Sequence, residues 1–476
     1  MRSKKIIKID RFDNFDKENS GVVVKRFFNY KPGTELMNSK GVRNAKFPKN
    51  PTNLSEKELF LSDAGVTKVD GLGFFKQYKA EAQYTSYRLL IYSGDKKIFI
   101  NQMIDDTYEL FWLYGLEFNS CPIILTYKKN DADACILACE DQMKIWKTNY
   151  SPYTIENAPI ITSMCMNNDV LFCTIKDPAF KIWYATDLDA ENVGNISNVS
   201  GYISLEDDLG DARKIVVFNE DVYVFRDYGI TKINYVKKDI STNQIYRSNT
   251  LIYPNTVSVC GNSIMFMTKD GLHSFNGVKV SKQNISLLND LKIESCNNAV
   301  GASLGENYYL ALNLNFNDNK DVICEPDCVN NAIIIINTLD WSYQIIRGVD
   351  VKTLLPVKTP VFEKMLIAFN SGHTDKIGEI VEESKFIDIN LPKFWESDSL
   401  VENNNVKLLT KLSVKADKGV EFKLVHDNKE TLFTTSKSGY NQFAFKISCK
   451  DIKMEISSVN ESAIVKNIEL EYYEYE

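Results

Sequence analysis

Between residues 218 and 235 the chain reads FNEDVYVFRDYGITKINY. An apolar run, residues 222–225, breaks at Arg226-Asp227-Tyr228-Gly229 and resumes as an alternating apolar and polar run over 230–233. Short runs of this kind joined through Asp and Gly predict a β-hairpin, with Asp227 and Gly229 supplying the positive φ of the turn. Residues 260–277, CGNSIMFMTKDGLHSFNG, repeat the pattern without a gap, Asp221 aligning with Ser263 and Gly229 with Gly271. Related units occupy 87–101, 133–147, 169–184, 307–337 and 364–380, the 307–337 unit carrying an insertion over 313–331.

The turn residues Asp95, Asp141, Asp177, Asp227 and Asp270 are 46, 36, 50 and 43 residues apart. A period of about 40–50 residues with four short strands is that of one propeller blade. Strand-like runs at 123–127, 159–164, 214–218, 256–260 and 300–304 stand between the hairpins and are expected to be the innermost strands. The predicted fold is therefore all-β, a six- or seven-bladed β-propeller over 71–386. A sandwich or a plain run of β-meanders is the alternative. Single cores rarely extend over about 300 residues, which disfavours the sandwich.

The flanks differ. Residues 1–70 predict an irregular N-terminal wrap, with a strand-like stretch at 21–28 and prolines at 48 and 51 that bar a helix or a central strand. Residues 387–476 begin with Pro392 and a polar ENNN run, then alternate through six short segments, which predicts a C-terminal antiparallel β-sandwich. Only 281–293 carries a helix-like pattern.

Composition changes this picture little. The chain has 476 residues, 44% hydrophobic and 12% aromatic, with a formal net charge of −7. No basic block supports binding through phosphate neutralisation, so sequence-specific nucleic-acid binding is not expected. The N-terminus MRSKKIIKID lacks the apolar run of a signal peptide, and no window is long enough for a membrane span. The expectation is a chain made and folded in a cytoplasm. Of ten cysteines, Cys135, Cys139, Cys165, Cys173 and Cys260 sit in apolar runs and read as buried thiols.

Candidate chemistry is sparse. The three histidines, His273, His373 and His426, lie far apart in sequence, and His273 and His373 read as solvated turn residues. Cys324-Glu325-Pro326-Asp327-Cys328 leaves a half zinc site, a disulfide or two free thiols open, the free thiols being preferred. Asn317-Asp318-Asn319-Lys320-Asp321 lacks the Gly and terminal Glu of a calcium loop. Asp187, Asp189, Glu206, Asp207 and Asp208 have no catalytic spacing. No sialidase-type turn, phosphate loop, nucleophile elbow or HExxH is present. The reading names no catalytic, cofactor-binding or metal-ligating residue, no cofactor and no enzyme activity. Trp112, Tyr114, Trp341 and Tyr343 are the aromatics that, if exposed together, would favour a carbohydrate- or receptor-binding face; packing within blades is the plainer reading.

The layout as a whole resembles the β-propeller virion proteins of tailed bacteriophages, and is most similar to the packaged-DNA stabilisation or tail accessory proteins of short-tailed phages. The segments carrying the resemblance are 216–233, 395–417 and 465–475, with hairpins such as Asp270-Gly271-Leu272 between the N-terminal wrap and the closing domain. The resemblance implies a non-catalytic virion component at the neck or tail, assembled in the cytoplasm of a bacterial host. Its implied partners are head-tail connector or tail proteins around the DNA channel, and its implied state in the virion is a homo-oligomeric ring. A carbohydrate- or host-receptor-binding propeller at the tail tip is the alternative.

Overall fold

The computed structural model describes residues 3–9, 14–15, 35–37, 41–48, 56–58 and, from 61 to 474, all except 80–83, 105–106, 130–131, 148–150, 237–238, 284–292, 316–327, 360–361, 372–373, 382–384, 387–388, 391–392, 398, 402–404 and 461–462. The described residues are almost entirely β, with two short 3-10 turns at Leu61–Ala64 and Ala190–Asn192.

Four-stranded antiparallel sheets follow one another along the chain, each in simple up-and-down order. The fourth sheet shows the plan: Ala212–Phe218 innermost, then Asp221–Arg226, Gly229–Val236 and Asp239–Arg247 outermost. The first, second, third and fifth sheets span 69–117, 123–154, 161–204 and 252–282. The sixth and seventh contain Ile293–Leu304 through Ser342–Arg347 and Asp350–Lys358 through Thr374–Val381, and both continue into further strands. Each sheet packs on the next through an apolar layer, and the last layer joins Val357, Leu366 and Ile377 to Val69, Leu89 and Phe99 of the first sheet. A radial, closed series of four-stranded sheets is a β-propeller.

This packing explains the apolar runs. A second strand lies between two neighbouring sheets and is covered on both faces. Val170–Ile175 is buried at every position, and Asn307–Leu314, NYYLALNL, at all but positions 307 and 313; the third strand Ala332–Asn337, AIIIIN, is likewise buried except at its last residue. Cover falls away at the rim, where Asp239–Arg247 is mostly exposed. The aligned hairpins are equivalent: Asp221–Arg226 and Gly229–Val236 occupy the places of Ser263–Thr268 and Gly271–Phe275.

The flanks are where the expectation changes. Among its described residues the N-terminal segment holds short strands at 3–9, 14–15, 35–37, 41–44, 46–48 and 56–58, followed by a 3-10 turn at 61–64. Gly41–Asn44 pairs antiparallel with Thr374–Val381 and completes the seventh sheet from the opposite end of the chain. Glu35–Met37 lies between Ser342–Arg347 of the sixth sheet and Lys393–Glu396. Ser3–Ile9 pairs with Val465–Glu474 along its whole length. These strands have partners hundreds of residues away, so no local hairpin pattern marks them. The stretch at 21–28 lies outside the described residues.

Beyond the ring, two four-stranded antiparallel sheets share one core. One orders Ser3–Ile9, Val465–Glu474, Lys407–Ala416 and Gly439–Cys449; the other Lys393–Glu396, Ile452–Ser458, Glu421–His426 and Lys429–Thr434. Leu412, Phe422, Leu424, Met454, Ile468 and Leu470 fill the space between them, with Ile9 and Trp395 contributed by the two added strands. The helix-like pattern at 281–293 is not borne out where it is described: Val280–Lys282 is a strand, another begins at Ile293, and 284–292 lies outside the described residues.

Candidate functional site

The up-and-down order places the turns between second and third strands on one face of the ring, with the links from one sheet to the next. The repeated aspartates lie there. Asp227 does not supply positive φ; neither it nor Gly229 has that conformation. The left-handed pair is one turn earlier, Asn219 at φ 50° and Glu220 at 65°. Asp227 instead pins the preceding link. Its carboxylate accepts from the Asp211 amide at 3.0 Å and from Arg213 Nε at 2.8 Å, and its carbonyl accepts from the Ile252 amide at 2.9 Å. Gly229 is required by close approach, since a Cβ there would lie 2.5 Å from the Tyr246 carbonyl oxygen. Gly271 does take positive φ, at 120°.

The acidic residues noted in the sequence separate into structural roles. Asp207 pairs with Arg226, whose wholly buried side chain also donates to the Leu205 and Gly210 carbonyls. Asp208 pairs with Arg247, Glu206 accepts from Ser204, and Asp189 accepts from Asn192. Asp187 takes positive φ in the loop between Lys181–Ala185 and Ser200–Ser204.

His273 is not solvated. It is buried, stacked on Phe266 at 5.4 Å, with its Nδ1–H donating to the Gly271 carbonyl at 3.1 Å. Burial holds its pKa below the usual value. His426 is buried 3.0 Å from Thr431 Oγ1, and His373 lies outside the described residues. The five cysteines expected to be buried are so, and burial pushes the Cys165 thiol up to about 12. Cys328 is half-buried; Cys324 and residues 317–321 lie outside the described residues. Among the described residues no three His, Cys, Asp or Glu side chains gather as a metal site would require. No helix among them is long and apolar enough to cross a membrane.

The four aromatics do not form one face. Tyr343 is buried between the fifth and sixth sheets, and Trp341 is half-buried at φ 60°. Tyr114 is 81% exposed, edge-on to Trp112 at 5.8 Å. Close to Trp112, at the junction of the first and second sheets, a polar cleft of about 400 Å³ is lined by Asp95, Lys96, Lys97, Glu117, Gln142 and Lys144 together with Phe118 and Asn119. Sequence reading missed this cleft because its walls come from two turns and a link that are each unremarkable.

No family model matches the chain, and no curated protein matches it. Among solved structures it is similar to Kluyveromyces lactis Hsv2, with a TM-score of 0.38 and 11% identity over 66% of this chain and 95% of that one. A second Hsv2 structure, with complete loop 6CD, gives a TM-score of 0.35 and 8% identity over the same shares. Likenesses at this level carry no argument about function.

Proposed function

We propose that the chain is a structural virion protein of a tailed phage or prophage, located at the neck or tail. In this reading it docks other head-tail connector or tail components around the DNA channel and helps retain the packaged genome. The body is a seven-bladed propeller over 71–386, with residues 1–70 as the wrap and 387–476 as a β-sandwich. It is not an enzyme. The observation supporting the reading is that the N-terminal segment enters three places at once: the seventh sheet, the edge of the sixth, and the C-terminal pair of sheets. Ring and C-terminal unit are thereby tied into one continuous body with broad loop faces, which suits a part that transmits load within an assembly.

In the virion several copies form a ring through head-to-tail contacts that close by symmetry. The net charge of −7 suits a channel wall past which DNA slides. Deleting the gene from the phage tests the proposal. The expected result is particles that lose packaged DNA or lack tails, restored by the gene in trans. Particles of normal DNA content, tail structure and infectivity would refute it. The exposed Tyr114 favours a second reading, a glycan- or receptor-binding propeller at the tail tip.

A further inference from the structure

Ser3–Ile9 and Gly439–Cys449 form the two edges of one C-terminal sheet. The Ser3–Ile9 edge carries three lysines in seven residues, a common protection of an open edge against pairing. Gly439–Cys449, GYNQFAFKISC, is eleven residues long, has one charge, Lys446, and no proline. It bonds to Lys407–Ala416 on one side, and no described strand pairs with its other side. The outermost strands of the propeller sheets are short by comparison at Tyr153–Thr154 and Val280–Lys282.

Side chains alternate along this edge. Tyr440, Gln442, Ala444, Lys446 and Ser448 are exposed, while Phe443, Phe445 and Ile447 turn toward the core yet stay half-buried. Lys429–Thr434 ends the facing sheet on the same side of that core. Its Phe433, also half-buried, lies 5.1 Å from Phe443 and 4.9 Å from Phe445 between ring centroids. Two free edges with an aromatic layer between them leave the paired sheets open on this side. A further strand laid on Gly439–Cys449 satisfies its outward N–H and C=O groups and covers those rings.

We propose that Gly439–Cys449 pairs antiparallel with the same strand of a second copy of this chain, about a dyad at Ala444. Ala444 is the middle residue of the strand, so this register overlaps all eleven positions. On the inward face it sets Phe443 beside Phe445 of the second copy. On the outward face it sets Gln442 beside Lys446, so no like charges are opposed. Just past the strand, exposed Lys437 falls opposite exposed Asp451 of the second copy, once at each end. One Asp451 oxygen accepts from Ser399, which leaves the other for Lys437. A slip of one residue sets the inward Phe443 against the outward Lys446, so the side-chain pattern specifies the register. The strand is thus its own complement in packing and in charge. The contact is isologous, differs from the head-to-tail contact of a virion ring, and does not depend on the virion reading.

Sedimentation equilibrium of the full-length protein is expected to show a reversible monomer–dimer equilibrium between about 1 and 100 μM. Ala444→Lys places two ammonium groups at the dyad from an exposed position. It should leave only monomer over that range, with the Tm of the dilute protein unchanged. Lys437→Glu opposes carboxylates at both ends and should weaken the dimer by about tenfold, and adding Asp451→Lys to it should restore the dimer. A parent chain that stays monomeric up to about 100 μM would overturn the proposal. So would a dimer or larger assembly that survives Ala444→Lys, or a charge swap that fails to restore pairing.

Discussion

The middle of the ring and its seam are held by different means. From the third sheet to the fifth, neighbouring sheets are stitched by contacts between residues close in sequence. The Tyr228 amide donates to the Leu209 carbonyl, the Ser248 amide to the Tyr228 carbonyl, and Asp227 binds residues 211, 213 and 252. At the seam the same tasks fall to residues more than three hundred positions apart, and buried carboxylates perform them. Asp375, 3% exposed, accepts from the Val69 amide and from Lys352 Nζ, each at 2.7 Å, joining the seventh sheet to the first. Glu379, 1% exposed, pairs with Arg43 on the N-terminal strand and with Lys364. Local turns suffice where chain order brings sheets together. Where the two ends must meet, charge pairs specify the register.

That contrast predicts unequal costs. Glu379→Ala removes the buried acceptor that Arg43 and Lys364 share and is expected to lower stability by about 2–3 kcal/mol in chemical denaturation. The double replacement Arg43→Met with Glu379→Leu should cost less, because of the two cations only Lys364 then loses the carboxylate, and it keeps its hydrogen bond to the Lys46 carbonyl. In the middle of the ring, Gly229→Ala drives a Cβ against the Tyr246 carbonyl and should cost about 1–3 kcal/mol. At the aligned Gly271 only the positive φ is strained, since the nearest atom to a Cβ is 3.5 Å away on a lysine stem; about 1 kcal/mol is expected. Equal losses at the two glycines would show that close packing does not distinguish these turns. Asp227→Ala, whose side chain is partly exposed, should cost about 1–2 kcal/mol.

The smallest effect concerns pH. His273 is held neutral by burial, so its folded pKa lies below the unfolded value of 6.5. As pH falls below about 6.5 the unfolded chain takes up the proton first, and stability is lost progressively toward the folded pKa. His273→Phe should flatten the pH dependence of the denaturation midpoint between roughly pH 7 and 5 relative to the parent protein. An unchanged slope would mean that His273 is accessible to protons in the folded state.

The same division decides what was legible in the sequence. The hairpins at 221–236 and 263–275 were plain because two adjacent strands and their turn carry their own pattern. Innermost strands such as Ile252–Cys260 were found by position between hairpins, and began several residues earlier than the apolar run suggested. Outer strands such as Val280–Lys282 and Tyr153–Thr154 were missed, being two or three residues long with little burial to pattern them. The strands at 3–9, 35–37 and 41–44 were invisible for a different reason: their partners lie near residues 470, 345, 395 and 380. Asp227 was recognised as a repeated turn residue while its work, tying three segments together, depends on neighbours that sequence order does not display. The cleft near Trp112 belongs to this second class, since its wall combines residues 95–97, 117–119 and 142–144.

Whether the body so assembled belongs to a virion is tested most directly by quantitative mass spectrometry of purified phage particles from the host strain. The account predicts peptides of this chain in washed, DNA-filled particles, at a fixed multiple per particle consistent with a ring and in constant ratio to the portal and tail proteins. Its absence from particles, with the protein recovered only in the soluble fraction of the lysed host, would contradict it.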